Sequence, residues 1–274
     1  MKLSKSVLFL AVLVFFTGSV IAQTINVGTL YGGSISNEIN REISGMDLKL
    51  EDSGKFGGLY LQSINPAKYQ WNVFLYGSDE VNSSSLLGVH SIVDFYPCGS
   101  SEQSKFVLGA GFEYIRMETA MDEYEGLTDF TLEQNIYAPF LRTGNYFYLN
   151  AGKFKFSLLP WIGFEGDSVK GDIYFDLPPN PSPFVPTNVD TFTNSTIFYG
   201  IAGLNFKIKY HHFVDLKLKY SKKKDLGADE YPETASAMLN IYFTRNLGVS
   251  YRFKYMESSE MTNVYNIGGL IYSF

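Results

Sequence analysis

The sequence predicts an all-β protein of about twelve antiparallel strands, within a range of about ten to fourteen, closed into one barrel. Three observations carry this. Apolar residues make up 45% of the chain, yet after residue 16 they are nowhere gathered into a second long run. They alternate with polar residues, the period of strands with two unlike faces. The connections between alternating segments are short and long by turns, and the segments traced back from Phe274 come to an even number, which puts both ends of the sheet on the short-turn side.

The first 22 residues stand apart. Lys2 and Lys5 precede an apolar run over 7–16, and small residues then lead to Val20-Ile21-Ala22. That is the layout of a secretory signal peptide, and the run is shorter than the roughly 20 apolar residues a spanning helix needs. Cleavage after Ala22 is expected to leave Gln23 at the new N-terminus, with no cysteine beside the cut to carry a lipid. Loss of Lys2 and Lys5 moves the formal charge from -6 to -8, an acidic balance that argues against nucleic acid as a partner. Cys98 is the single cysteine, so no intrachain disulfide is available to an exported chain.

Strands are expected near 43–51, 55–64, 68–77, 84–96, 105–118, 130–150, 154–170, 196–209, 212–221, 235–243, 247–257 and 263–274. KFVLGAGFEY shows the alternation best, with Phe106, Leu108, Ala110, Phe112 and Tyr114 on one face and Gly109, Gly111 and Glu113 on the other. Val214, Leu216, Leu218 and Tyr220 oppose Asp215, Lys217 and Lys219; Leu247, Val249, Tyr251, Phe253 and Tyr255 oppose Ser250, Arg252 and Lys254. Phe198, Leu204, Phe206 and Ile208 oppose Asn205, Lys207 and Lys209. The 130–150 strand is interrupted by Pro139 and by Thr143-Gly144-Asn145. Short turns fall at 65–67, 151–153, 210–212 and 244–246, and PCGSSEQS belongs to the same series by position. The long connections are METAMDEYEGLTD, the proline-rich DIYFDLPPNPSPFVPTNVDTFTNS and KKKDLGADEYPETAS. Residues 23–42 admit three readings: an extra strand, a periplasmic stub or a lumen insert. An extra strand would make the count odd. The barrel domain is accordingly drawn over 43–274.

This pattern resembles that of a bacterial outer-membrane β-barrel of the porin-like class, a closed antiparallel transmembrane β-barrel with short periplasmic turns and longer extracellular loops. The resemblance implies export to the outer membrane, an apolar face in lipid, a polar face toward a lumen, and closure because hydrocarbon leaves no sheet edge a hydrogen-bond partner. It also implies a terminal strand read by the barrel-insertion machinery. Leu270, Tyr272 and Phe274 match that assembly signal, while Gly268 and Asn266 depart from it.

Function is sought on the lumen face. Alternation places Asp47, Asp94, Glu113, Glu133 and Glu165 inward on early and middle strands, and Lys207, Lys217, Lys219, Arg252 and Lys254 inward on late ones. Two readings follow. Opposed acidic and basic walls give a transverse field in an open or loop-gated pore for small polar or charged solutes; alternatively the charges pair and fill the interior, leaving a structural or binding barrel whose loops engage a partner. The proline-rich loop suits a constriction, a partner surface or an ordinary variable loop.

Enzyme chemistry finds few candidates. His211 and His212 lie in a turn, and His90 and Asp94, four apart on a strand, are separated by about 13 Å. Ser157 faces the lumen with no histidine assigned beside it. A lipid-modifying enzyme is therefore the minor reading; no catalytic residue, metal site or cofactor is expected.

Overall fold

A computed structural model describes residues 25–43, 46–81, 83–97, 103–124, 127–176, 188–258 and 261–274. The expected signal peptide, its cleavage point and Cys98 lie outside them, as do the five prolines of the proline-rich connection. The described chain forms twelve strands: β1 (Ile25–Ile43), β2 (Met46–Asn65), β3 (Tyr69–Val81), β4 (Ser84–Phe95), β5 (Ser104–Tyr124), β6 (Leu127–Ala151), β7 (Phe154–Asp176), β8 (Asn188–Tyr210), β9 (Val214–Asp225), β10 (Glu233–Tyr242), β11 (Leu247–Glu257) and β12 (Met261–Ser273). Each pairs antiparallel with its sequence neighbours, and β1 pairs with β12 to close the barrel.

The even count arises differently from the sequence expectation. Residues 25–43 are the first strand, and the segments expected at 43–51 and 55–64 are one continuous strand, β2. The register runs unbroken from Ile25↔Ile64 to Ile43↔Met46, because Asp52, Ser53 and Gly54 keep the alternation although they look like a turn. The barrel therefore begins at Ile25, not at residue 43. Of METAMDEYEGLTD, the residues up to Tyr124 and from Leu127 on are likewise strand rather than loop, and β5 and β6 pair out to Tyr124↔Leu127. A polar stretch can extend a hairpin into water as well as leave it, so composition alone did not separate the two.

Four connections of two to four residues, 66–68, 152–153, 211–213 and 243–246, lie at one rim, the short-turn rim, with both ends of the described chain. The expected contrast with the other rim does not hold throughout, since β1–β2, β3–β4 and β5–β6 are each separated there by two residues because their hairpins continue as strand. The turns there are held locally: Asn65 Oδ1 accepts from the Ala67 amide at 3.2 Å, Thr244 Oγ1 accepts from the Leu247 amide at 3.0 Å, and Gly152 adopts φ 60°. Phe274 does not fray. Its amide donates to the Asn26 carbonyl at 3.0 Å and its carbonyl accepts from the Asn26 amide at 3.2 Å. At the opposite rim the strands stand at unequal heights. β5 to β8 have 21, 25, 23 and 23 residues, against 12, 10, 11 and 13 in β9 to β12, so the middle of the sheet rises past its neighbours.

The outward face is apolar, with Leu141, Leu149, Ile162, Phe164, Leu204 and Leu270 all exposed. Aromatic rings ring the short-turn rim, among them Phe95, Phe147, Phe154, Phe213, Phe243 and Phe274. Phe164 stacks on Phe198 ten positions further along β7 than Phe154. At about 3.3 Å per residue and a tilt of about 40°, that is a band roughly 25 Å tall, the height an outer membrane requires.

Candidate functional site: the lumen wall

Twelve strands about 4.8 Å apart and tilted about 40° give a backbone cylinder about 12 Å in radius. What lines it is set by register. Cross-strand partners share a face, so inward residues can be followed round the barrel from one pair to the next.

On β12, β1, β2 and β3 the lining is aromatic. Tyr31, Ile35, Phe56, Val81 and Ile267 are buried together, with Tyr60, Phe74, Tyr76, Leu86 and Tyr265 packed against them. Phe74 and Tyr76 stack at 5.1 Å, and Tyr265 meets Phe56 edge-on at 5.3 Å. The rings fold onto neighbouring strands rather than toward the axis. Tyr76 covers Gly88, where a Cβ would come within 2.4 Å of the ring, and Trp161 covers Gly203 at the same distance. A bare backbone on the next strand is what lets a large ring lie flat.

On β4 to β7 the lining carries acids: Asp94, Glu113 and Glu165 have partners on this or a nearby strand, while Asp167, two residues beyond Glu165 on the same face, keeps one buried carboxylate oxygen without a hydrogen bond. Asp94 is buried and receives both Nε and Nη2 of Arg142, at 3.0 and 2.7 Å; Arg142 reaches it past Gly109 on the strand between. Glu113 accepts from the Tyr76 hydroxyl at 2.7 Å, with His90 Nδ1 at 3.9 Å. Glu165 pairs with Lys223 of β9. His90 stacks on Phe140 rather than meeting Asp94, as their spacing implied.

On β8 to β11 the lining is basic. Register sets Lys207 opposite Lys217 and continues through Met238 to Arg252; a second row runs Lys219, Ser236, Lys254. Asp215 takes Lys207 at 3.0 Å and lies 4.0 Å from Lys217. Among the described residues Lys219, Arg252 and Lys254 form no ion pair; Arg252 and Lys254 rest over the rings of Phe74 and Tyr265, each 5.4 Å from the centroid.

Of the ten residues expected inward, eight line this wall: Asp94, Glu113, Glu165, Lys207, Lys217, Lys219, Arg252 and Lys254. Glu133 does not. It sits on the outer face, cross-strand from Glu118 and ion-paired with Arg116 at 2.9 Å, because past Tyr137 the outward face of β6 has cleared the apolar band and turns polar, so polarity there no longer means inward. The side chain of Asp47 lies outside those described. Ser157 faces inward between Tyr148 and Lys207. Leu270, Tyr272 and Phe274 point outward as expected, with Tyr272 and Phe274 stacked at 6.0 Å.

Sequence reasoning put Asp215 on the polar face of its strand without counting it among the lumen residues, and missed Arg142, Lys223 and the whole aromatic lining. Lys223 was within reach, since it continues the parity of Asp215, Lys217 and Lys219. The aromatic lining was not, since an inward Tyr or Phe reads like a lipid-facing one until register brings its glycine opposite.

No family model matches the sequence, and no curated protein matches it. Solved structures do. The translocator domain of the autotransporter NalP from Neisseria meningitidis superposes with a TM-score of 0.53 at 12% identity, covering 98% of this chain and 96% of that one. The β domain of the Bordetella autotransporter BrkA gives 0.51 at 11%, covering 92% and 99%. The KdgM porin is more distant, at 0.40 and 11%, covering 89% and 99%. At these identities the likeness is one of fold. Together with the closed twelve-stranded sheet, it makes this chain an outer-membrane-type β-barrel.

Proposed function

We propose that the protein resides in the outer membrane, with its short-turn rim in the periplasm, and forms a narrow channel that favours small anions. The observation that carries this reading is the imbalance of partners along the lumen. Asp94, Glu113 and Glu165 are each neutralised or hydrogen-bonded in place, which leaves Asp167 as the inward acid with an unpartnered oxygen, whereas among the described residues three bases, Lys219, Arg252 and Lys254, form no ion pair. The expected field of two opposed walls thereby becomes one-sided. Unpaired bases in a confined aqueous passage raise the local concentration of anions. Lys207 opposite Lys217 and Lys155 opposite Lys209 add further base, four lysines among which Asp215, ion-paired with Lys207 and 4.0 Å from Lys217, brings one carboxylate.

Side chains narrow a cylinder of about 12 Å backbone radius, since Arg252 of β11 meets Phe74 of β3 four strand positions away, so the passage suits small solutes and not a folded domain. The role is one of passage rather than catalysis: His90, packed on Phe140 beside Glu113, acts as a fixed wall side chain. Lipid is the partner of the outward aromatic band, and the insertion machinery that of Leu270, Tyr272 and Phe274. The test is conductance of the purified barrel in a planar bilayer under a potassium chloride gradient. Discrete steps with a reversal potential on the chloride side are expected. Silence from correctly folded protein would overturn the channel and favour a filled barrel that binds through its loops.

A further inference from the structure

We infer that the solutes this lumen selects are small aromatic carboxylates; the inference rests on the anion-channel reading and narrows it. Phe74 is the centre of the aromatic lining, stacked on Tyr76 and meeting Tyr31 edge-on at 5.9 Å. Arg252 comes from the far side of the seam to lie over Phe74, and Lys254 lies over Tyr265, its cross-strand partner on β12. Each base therefore keeps hydrogen-bond donors free of any carboxylate while touching a ring. Cation and aromatic surface are presented side by side, in one place.

That juxtaposition discriminates between solutes. Chloride uses only the bases. A carboxylate attached to a ring uses both, with its oxygens on the Arg252 fork and its ring in offset contact with the aromatic lining. An aliphatic carboxylate of equal charge gives up the second contact. A sugar acid brings hydroxyls that need partners, but the Tyr76 hydroxyl is committed to Glu113 and that of Tyr31 is shared with Ser250 at 3.2 Å. Unpaired hydroxyls against apolar rings are penalised. An aromatic ammonium fits the rings and is repelled by the bases.

The experiment adds benzoate, acetate, glucuronate or benzylammonium to one side of a bilayer holding the channel in potassium chloride, and reads interruption of the current. Benzoate should block at a concentration about five- to tenfold lower than acetate or glucuronate, and benzylammonium should not block. Phe74→Leu, which keeps apolar bulk, should remove most of the advantage of benzoate over acetate; Arg252→Gln should weaken block by every carboxylate. Heat-modifiable mobility establishes that each variant is folded. Equal potency of benzoate and acetate, greater potency of glucuronate, or a benzoate advantage that survives Phe74→Leu combined with Tyr265→Leu would overturn the assignment. Calorimetry of benzoate with the folded barrel in detergent separates the two readings. Saturable binding by a barrel that does not conduct would refute the channel and leave the ligand class standing, while conduction without benzoate preference would do the reverse.

Discussion

The two halves of the lumen solve opposite problems. From β12 through β3 the wall is built for contact: Tyr31, Phe56, Phe74, Tyr76 and Ile267 bury one another across the seam where the first and last strands meet. From β8 through β11 the wall gathers like charges, with Lys207 facing Lys217 across the ladder and Asp215 set beside them. Burial of a large apolar side chain stabilises by about 1.5–3 kcal/mol, while like charges directly opposite cost a few tenths to about 1 kcal/mol. The difference teaches that closure and selectivity are supplied by different parts of the circumference. One wall can keep unsatisfied charge because the other has little left unsatisfied.

The sharpest way to break this division is at the seam. Gly33 faces inward on β1, and a Cβ there would lie 2.1 Å from the Asn266 carbonyl oxygen, which belongs to the backbone and has nowhere to go. Gly33→Val should abolish heat-modifiable, folded protein, whereas its outward neighbour, changed as Gly32→Ala, has no atom within 4 Å of the new Cβ and should assemble normally. Equal behaviour of the two would mean that the aromatic wall does not set closure. A step smaller, Phe274→Ser should lower the folded fraction in membranes without abolishing it, since the backbone exchange with Asn26 needs no side chain.

On the middle wall, Asp94→Leu strands the Arg142 guanidinium and should cost about 3 kcal/mol or more, read as a lower urea midpoint. Adding Arg142→Met should recover most of it. On the basic wall, Lys217→Glu with Arg252→Glu should move the reversal potential several-fold toward potassium in permeability ratio while leaving the urea midpoint near that of the parent. A large fall in stability there would merge the two walls into one structural role. The smallest effect is expected outside the barrel. Lys222 and Glu233 pair at 2.5 Å on an exposed face, and Lys222→Ala should leave both midpoint and selectivity unchanged, because exposed pairs are screened and cost side-chain entropy.

Legibility from sequence follows the same division. The late strands carry short, regular alternation, so Lys207, Lys217, Lys219, Arg252 and Lys254 were found on the correct face without a structure. Alternation is a local property, and a local reading recovers it. It fails where polarity stops reporting direction, as at Glu133, or where a turn-like composition stays extended, as at Asp52-Ser53-Gly54. The twelve-strand total was reached with one strand split and another left unassigned, so the number was sound while two of its boundaries were not. The aromatic wall is non-local. Tyr76 is placed by a glycine on the next strand, and Arg252 finds Phe74 only once the two ends of the chain have met.

That meeting fixes an order of events. Val27 pairs with Ser273, so the contact that seals the sheet joins nearly the first described residue to nearly the last, and no shorter portion of the chain can make it. Every intermediate that lacks β12 exposes two rows of unpaired amides and carbonyls, a state hydrocarbon does not tolerate. The final thirteen-residue strand is therefore a checkpoint: a chain cut short anywhere upstream announces itself by edges that stay open, and the membrane offers it no stable place to rest.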